Sequence, residues 1–440
     1  MATPKYRGGA IDVRQVSTIT IANTWAQGDT CTITIDNLDF VVTIGTLVTT
    51  TQVATTIKEA FNGSTLTDTS ASCVPTIAQG GAAAVGNFAE MTATSSGAVV
   101  TLTTNQTLRV GKPVTIAVSE VTAGTGTATY AVATAARGKN EGDNQDNWDT
   151  NAVPVNNDTV VFDAGDVDLL YDMSLGVQPA TIIKTKAYTG KVGLAEINKD
   201  NTGVGKSYRE YRGKYLVTTN NIVTTTANLE TGEGQGSGRF RWNAGAGQVI
   251  LNLFGMGTRA DGVPCILFLG THASNVVNNI GGDLGLAYFP GESATIATLR
   301  NGDGPSSSAK TWCGSGCTLA TVVCNGGTMH TESAITTATL NGGTWGHDTG
   351  TVTTCKVFGG TWEHLGGATI TTLTIGPSGK FDASKGTATF AVTNPILLSK
   401  GAEFYDPQGR SGNPVFTLAA GVTWNDVKIN IGGGKTFTAS

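Results

Sequence analysis

From Val16 onward, apolar and polar residues alternate in short runs: "VSTITIA", then "CTITIDN" and "FVVTI". A period of two predicts half-buried strands, and the polar Asp36–Asn37 between the last two predicts a hairpin. The period then changes. In "TTTQVATTIKEAFNG", Val53, Ile57, Ala60 and Phe61 share one helical face, a threonine precedes it as a cap, and Gly63 ends it. Alternation returns in "FAEMTATSSGAVVTLTT", a second hairpin across Ser96–Gly97, and in "KPVTIAVS". Residues 16–136 thus predict a compact α+β domain, one helix on a sheet. Residues 137–158, "RGKNEGDNQDNWDTNAVPVNND", lose apolar periodicity and read as a linker, with Trp148 as an anchor onto the next domain.

From Thr159 to the C-terminus, short β runs alternate with glycine-rich corners. Between 310 and 380 they become a repeat. Leu319, Ile335, Val352 and Ile370 recur at 16, 17 and 18 residues, and so do Cys324, Leu340, Val357 and Ile375. Thr311, Thr328, Thr344 and Thr361 recur at 17, 16 and 17, each followed by a large side chain: Trp312, Met329, Trp345 and Trp362. His330, His347 and His364 recur at 17 and 17. A unit this short cannot hold two helices and a turn, and its Thr, Val and Ile suit a pleated surface. One coil of a parallel β-helix fits, with stacking needed to bury a continuous core.

The predicted fold is therefore mainly β. A basic arm (1–15) and a small N-terminal α+β domain (16–136) precede the linker (137–158). The remainder (159–440) is a parallel β-solenoid with coils of about 16–18 residues or longer. "SATIATLRNG" (293–302) matches "GCTLATVVCNGG" (316–327) position by position, so the solenoid begins before the clean repeat. At roughly 18–20 residues per coil and 4.8 Å per rung, on the order of 15 coils and a rod of about 70 Å are expected. Trp312, Met329, Trp345 and Trp362 are expected as one ladder, in the core or at a subunit interface in preference to a sugar-stacking surface platform. The three histidines are expected as a second.

Composition narrows the function. The net charge is −5, which argues against nucleic acid as a partner. Residues 1–16 have no apolar signal segment and no run is long enough to span a bilayer, so synthesis and folding in a bacterial cytoplasm without membrane insertion are expected. Seven cysteines, an odd number, fit reduced thiols.

Several motifs bear on chemistry. Cys313, Cys317, Cys324 and His330 invite a zinc reading, but Cys324 holds the slot of Leu340 and Val357, so buried thiols are favoured. Asp348 and Glu363, on neighbouring coils, could approach as glycosidase carboxylates do; a solvated outer face is favoured. "GDNQDNWD" (142–149) carries oxygen ligands without EF-hand spacing, and the glycine clusters lack the context of a phosphate loop. No cofactor, metal or catalytic residue is expected.

The opening "RGGAIDVRQVSTITIANTWAQGDTCTITIDNLDFVVTIG", the helix "VATTIKEAFN", Asn147–Trp148 with "VPVNNDTVVFD" (153–163), "LGTHASNV" (269–276) and "PGESATIATLR" (290–300) together resemble a group of virion-associated β-solenoid proteins of tailed bacteriophages and prophages. The resemblance covers most of the chain and implies no chemistry. It implies a virion-associated β-solenoid protein; since no acidic pair repeats within a coil, the expected role is a non-enzymatic structural one on the virion exterior, a capsid decoration or head fibre. The alternative is a tail spike or tail fibre receptor-binding protein, for a host surface glycan, with or without polysaccharide depolymerase activity. Lys5, Arg7 and Arg14 make the arm basic on an acidic protein, so docking on another virion protein, foremost the major capsid protein, is assigned to the N-terminal region. Low charge and the aromatic stripe suggest a homotrimer.

Overall fold

The computed structural model describes residues 1–35, 38–77, 91–105, 111, 113–171, 173–193, 215–218, 224–231, 239–255, 262–304 and 307–439. The expected turn at Asp36–Asn37, most of the charged stretch 205–219 and the glycine cluster 232–238 lie outside them. Among the described residues no helix is long and apolar enough to cross a membrane.

The N-terminal domain holds two four-stranded antiparallel sheets rather than one. Val16–Ala22 lies between Val99–Thr104 and Thr127–Thr134, with Met91–Ser96 outside. Thr30–Ile35 lies between Leu38–Thr43 and Ile116–Val121, with Pro75–Ile77 outside. The helix Thr50–Phe61 starts at Thr49, whose hydroxyl accepts from the Gln52 amide while the Gln52 side chain accepts from the Thr49 amide. This reciprocal cap satisfies two otherwise orphaned donors. Val53, Ile57 and Phe61 are buried against the inner faces of both sheets, with Ile19, Ile33 and Leu102.

The solenoid has about 11 turns, whose strands stack into two parallel arrays. At about 4.8 Å per rung that makes a rod of roughly 50 Å. The expected 15 coils are too many because the upstream coils are long: Ile250 pairs with Val276, 26 residues on, and Val276 with Thr298, 22 on. Leu319 pairs with Ile335, only 16 on. Residues 293–302 do align with 316–325, Ile296 against Leu319 and Leu299 against Val322. In the first sheet Leu319, Ile335, Val352 and Ile370 form one ladder, and Cys324, Leu340, Val357 and Ile375 another. All eight side chains are buried. The corners are tight at Gly327, Gly343 and Gly360, consecutive rungs of one ladder with φ of 74°, 81° and 74°. A Cβ at Gly343 or Gly360 would strike the carbonyl of the glycine one coil earlier, so only glycine lets the coils stack there.

The first rung comes from the arm. Thr159 and Val161 donate to the carbonyls of Ala2 and Pro4, and Tyr6 donates back to Val161, a parallel pairing that covers the edge of Thr159–Phe162. Tyr6 is fully buried against Trp148, with ring centroids 5.4 Å apart, and against Phe162. The expected linker is ordered as well. Asn147 is fully buried, donating to the Gly138 and Glu141 carbonyls and accepting from the Ala10 amide. Arm and linker together close the end of the rod, and Trp148 is the anchor expected of it.

Candidate functional site

On the second sheet, strand register decides which side chains face out. Lys310 pairs with Thr328, Thr328 with Thr344, and Thr344 with Thr361. The coil from 310 to 328 is therefore one residue longer than the threonine spacing suggests. A strand alternates faces, so a shift of one residue reverses every side chain. Thr311, Met329, Trp345 and Trp362 form the inward ladder, and all are buried. Trp312 belongs instead to the outward ladder Trp312–His330–Gly346–Glu363. The histidines divide for the same reason. His330 pairs with Gly346 and faces out, while His347 and His364 pair with each other and point into the core at 0% exposure. Both expected ladders are thus corrected: the aromatic ladder is a core feature without Trp312, and the histidines occupy two positions.

The outward ladder floors a groove of about 460 Å³, lined among others by Lys310, Trp312, His330, Gly346, Glu363 and Leu365. Trp312 and His330 stack with ring centroids 3.8 Å apart at 23°, and Tyr288 meets Trp312 edge-on at 6.0 Å. Gly346 deepens the floor, since a Cβ there would meet the His330 Nδ1 and the Leu365 side chain. Glu363 is ion-paired with Lys385. Asp348 lies near His330 and Glu332, and one ligand atom of each of these three side chains falls within 4.8 Å of the others. His330 Nε2 is 3.4 Å from Glu332 Oε1, is shielded from solvent and makes no hydrogen bond.

Behind the groove the inward side chains are hydrogen-bonded in series. Trp345 Nε1 donates to Thr331 Oγ1 at 3.0 Å, Thr331 Oγ1 lies 2.8 Å from His347 Nδ1, and His347 Nε2 lies 2.8 Å from the Gly350 carbonyl. The carbonyl only accepts, so Nε2 carries the proton and Nδ1 accepts from the threonine. Burial holds the His347 imidazole down to about 4. His364 sits lower, at about 3, through burial first and then the positive charges of a protonated His347 and of Arg410.

All seven cysteines are buried and none forms a disulfide. Cys324 stands in the core ladder with Leu340, and the Cys313 thiol is pushed up by Cys317 and by burial. The docking residues divide too. Lys5 Nζ lies 2.8 Å and Arg7 2.6 Å from Asp163, with Asp149 4.0 Å from Arg7; Arg14 is exposed. The Lys5 hydrogen bond first, and then Arg7, holds the Asp163 carboxyl below its usual range.

Two features have no counterpart in the sequence reading. Asn228, Asn252 and Asn278 hydrogen-bond in series across three coils. Arg410, buried at 3% exposure, donates to five carbonyls, those of His364, Leu365, Gly366, Ala383 and Ala388. Irregular coil lengths hide the first, and a lone arginine at a corner gives no signal for the second. No family model matches the sequence, and comparison with curated proteins and with solved structures returns no match.

Proposed function

We propose that this protein is a non-enzymatic structural component of a tailed-bacteriophage virion, an exterior capsid decoration or head fibre. The observation that carries the reading is the arrangement of its parts: a continuous stacked core forming a rod, one end covered by the chain's own residues 2–6, and a separate two-sheet domain beside that end. The motif resemblance supplies the setting. Since Lys5 and Arg7 are already paired with Asp163, attachment to the major capsid protein falls to the 16–136 domain and to Arg14, with the coils projecting outward.

A homotrimer belongs to the same reading. With the aromatic ladder in the core, its contacts would use the apolar side chains that stay exposed on the coils, such as Phe254, Phe358 and Leu397. Sedimentation of the purified chain as a monomer at micromolar concentration would remove the trimer. The reading as a whole is tested by imaging phage particles with the 16–136 domain labelled. Label at the shell with a rod pointing away is expected; particles that lack the protein overturn it.

One observation favours the tail-spike alternative. A groove walled by a half-exposed tryptophan and a histidine is suited to stacking on a sugar ring. The carboxylate lining it, Glu363, is tied to Lys385 rather than paired with a second acid. Glycan retention without cleavage would make the groove a host-binding surface; release of oligosaccharides would make the protein a depolymerase.

A further inference from the structure

The geometry points to a divalent transition-metal site on the rod's side, formed by His330, Glu332 and Asp348, with zinc as the fitting ion. His330 and Glu332 are two residues apart on the strand Thr328–Thr331 and its exit, so both side chains leave the same face. Asp348 comes from the next coil, where its amide donates to the carbonyl of Thr331, which brings it beside Glu332. The three side chains place ligand atoms within 4.8 Å of one another. Atoms each about 2.0–2.1 Å from a shared ion cannot be more than about twice that apart, so a small contraction completes the set.

Two further observations set this cluster apart from an ordinary polar patch. The first is charge. Other carboxylates of the same face have a lysine: Glu363 pairs with Lys385, while Asp382 and Glu403 share Lys380. Among the described residues, Glu332 and Asp348 have His330 and no lysine or arginine. Two carboxylates this close repel unless a cation lies between them. The second is the imidazole. Its Nε2 is shielded, unbonded and beside Glu332, and the stack on Trp312 holds the ring plane. A shielded ring nitrogen beside Glu332, with the Asp348 carboxylate in the same cluster, is a fitting donor set for a transition-metal ion.

The donor set selects the metal. One nitrogen and two carboxylates suit zinc or a neighbouring first-row ion, whereas Ca²⁺ and Mg²⁺ favour all-oxygen shells with more ligands. Three protein ligands leave a coordination position open. Because His330 also lines the groove, that position is within reach of an oxygen-bearing group lodged there.

Calorimetric titration of the full-length, metal-stripped chain with zinc chloride tests this. One equivalent is expected, with protons released as the ion binds. His330→Phe keeps the stack on Trp312, and Glu332→Gln and Asp348→Asn keep volume. Each should weaken binding by at least the ten- to hundredfold that outer-shell losses cost. All seven cysteines remain in these variants, so zinc bound unchanged by the triple variant would belong to thiols and overturn the site. Absence of zinc uptake by the wild type, or equal affinity for magnesium, would overturn it as well.

Discussion

The indole of Trp312 lies face to face with the imidazole of His330, 3.8 Å away, one coil above it on the outside of the rod. This pairing fixes which tryptophans hold the core together. Trp345 and Trp362, offset by one position, face inward at 0% exposure with ring centroids 4.7 Å apart. Trp345→Ala and Trp362→Ala are each expected to cost about 3–5 kcal/mol through cavity formation. Trp312→Ala should cost well under half of that, because the side chain is half-buried beside open space. Urea denaturation of the three variants checks the order; a Trp312 variant as damaged as the other two would mean the register is wrong.

That register marks the boundary of what sequence could reveal. The ladders Leu319–Ile335–Val352–Ile370 and Cys324–Leu340–Val357–Ile375 were legible because no corner between 317 and 375 adds more than two residues. A slip would have put apolar residues outside, so the pattern checked itself. On the second sheet Trp312 follows a threonine just as Met329, Trp345 and Trp362 do, so the extra residue of the 310–328 coil left no mark. His330 then fell into line with His347 by interval alone. The arm was legible only in part, for another reason. Its lysine and arginines drew attention to outside partners, whereas the informative residue was Tyr6, the arm's only aromatic.

The series Trp345–Thr331–His347–Gly350 uses every polar atom it buries, which makes Thr331 its weak point. Thr331→Val preserves shape but strands the Trp345 N–H and the His347 Nδ1. Leaving buried groups unpaired costs about 1–3 kcal/mol each, so a loss of roughly 2–6 kcal/mol is expected. Thr331→Ser, which keeps the hydroxyl, should recover most of it. Equal stability of the Val and Ser variants in thermal unfolding would show that the series carries no weight.

His364 should make the rod acid-sensitive. Its folded-state value of about 3 lies below the ordinary 6.5, since burial, His347 and Arg410 all oppose a proton there. The unfolded chain therefore binds a proton that the folded chain refuses. This group has no effect on stability above pH 7, begins to destabilise as pH falls through 6.5, and reaches its full effect near pH 3, on the order of 4 kcal/mol. His364→Phe would sit among Phe381 and Phe390, which already surround the ring. It forfeits the bond to the Ala368 carbonyl at neutral pH but removes the titration. The stability difference between wild type and His364→Phe should shift in the variant's favour between pH 7 and 4. A constant difference across that range would show that His364 titrates normally.

The N-terminal arm provides the last expectation. Residues 2–6 pair with Thr159–Phe162, and Tyr6 fills the space between Trp148 and Phe162, so the arm is the first rung of the solenoid core. Removing residues 1–7 exposes the edge of Thr159–Phe162 and the faces of both aromatic rings, and it leaves Asp163 without Lys5 and Arg7. Tyr6→Ala alone should cost roughly 3 kcal/mol or more, as large aromatic truncations do. Lys5→Ala and Arg7→Ala should cost less than about 1 kcal/mol each, because those pairs are partly exposed. Hydrogen exchange locates the effect: in the Tyr6 variant, protection should fall at 159–162 and 181–184 and persist at 317–375. Protection unchanged at Thr159–Phe162 would mean that the arm rests on the rod without stabilising it, and its basic residues would again be available to an outside partner.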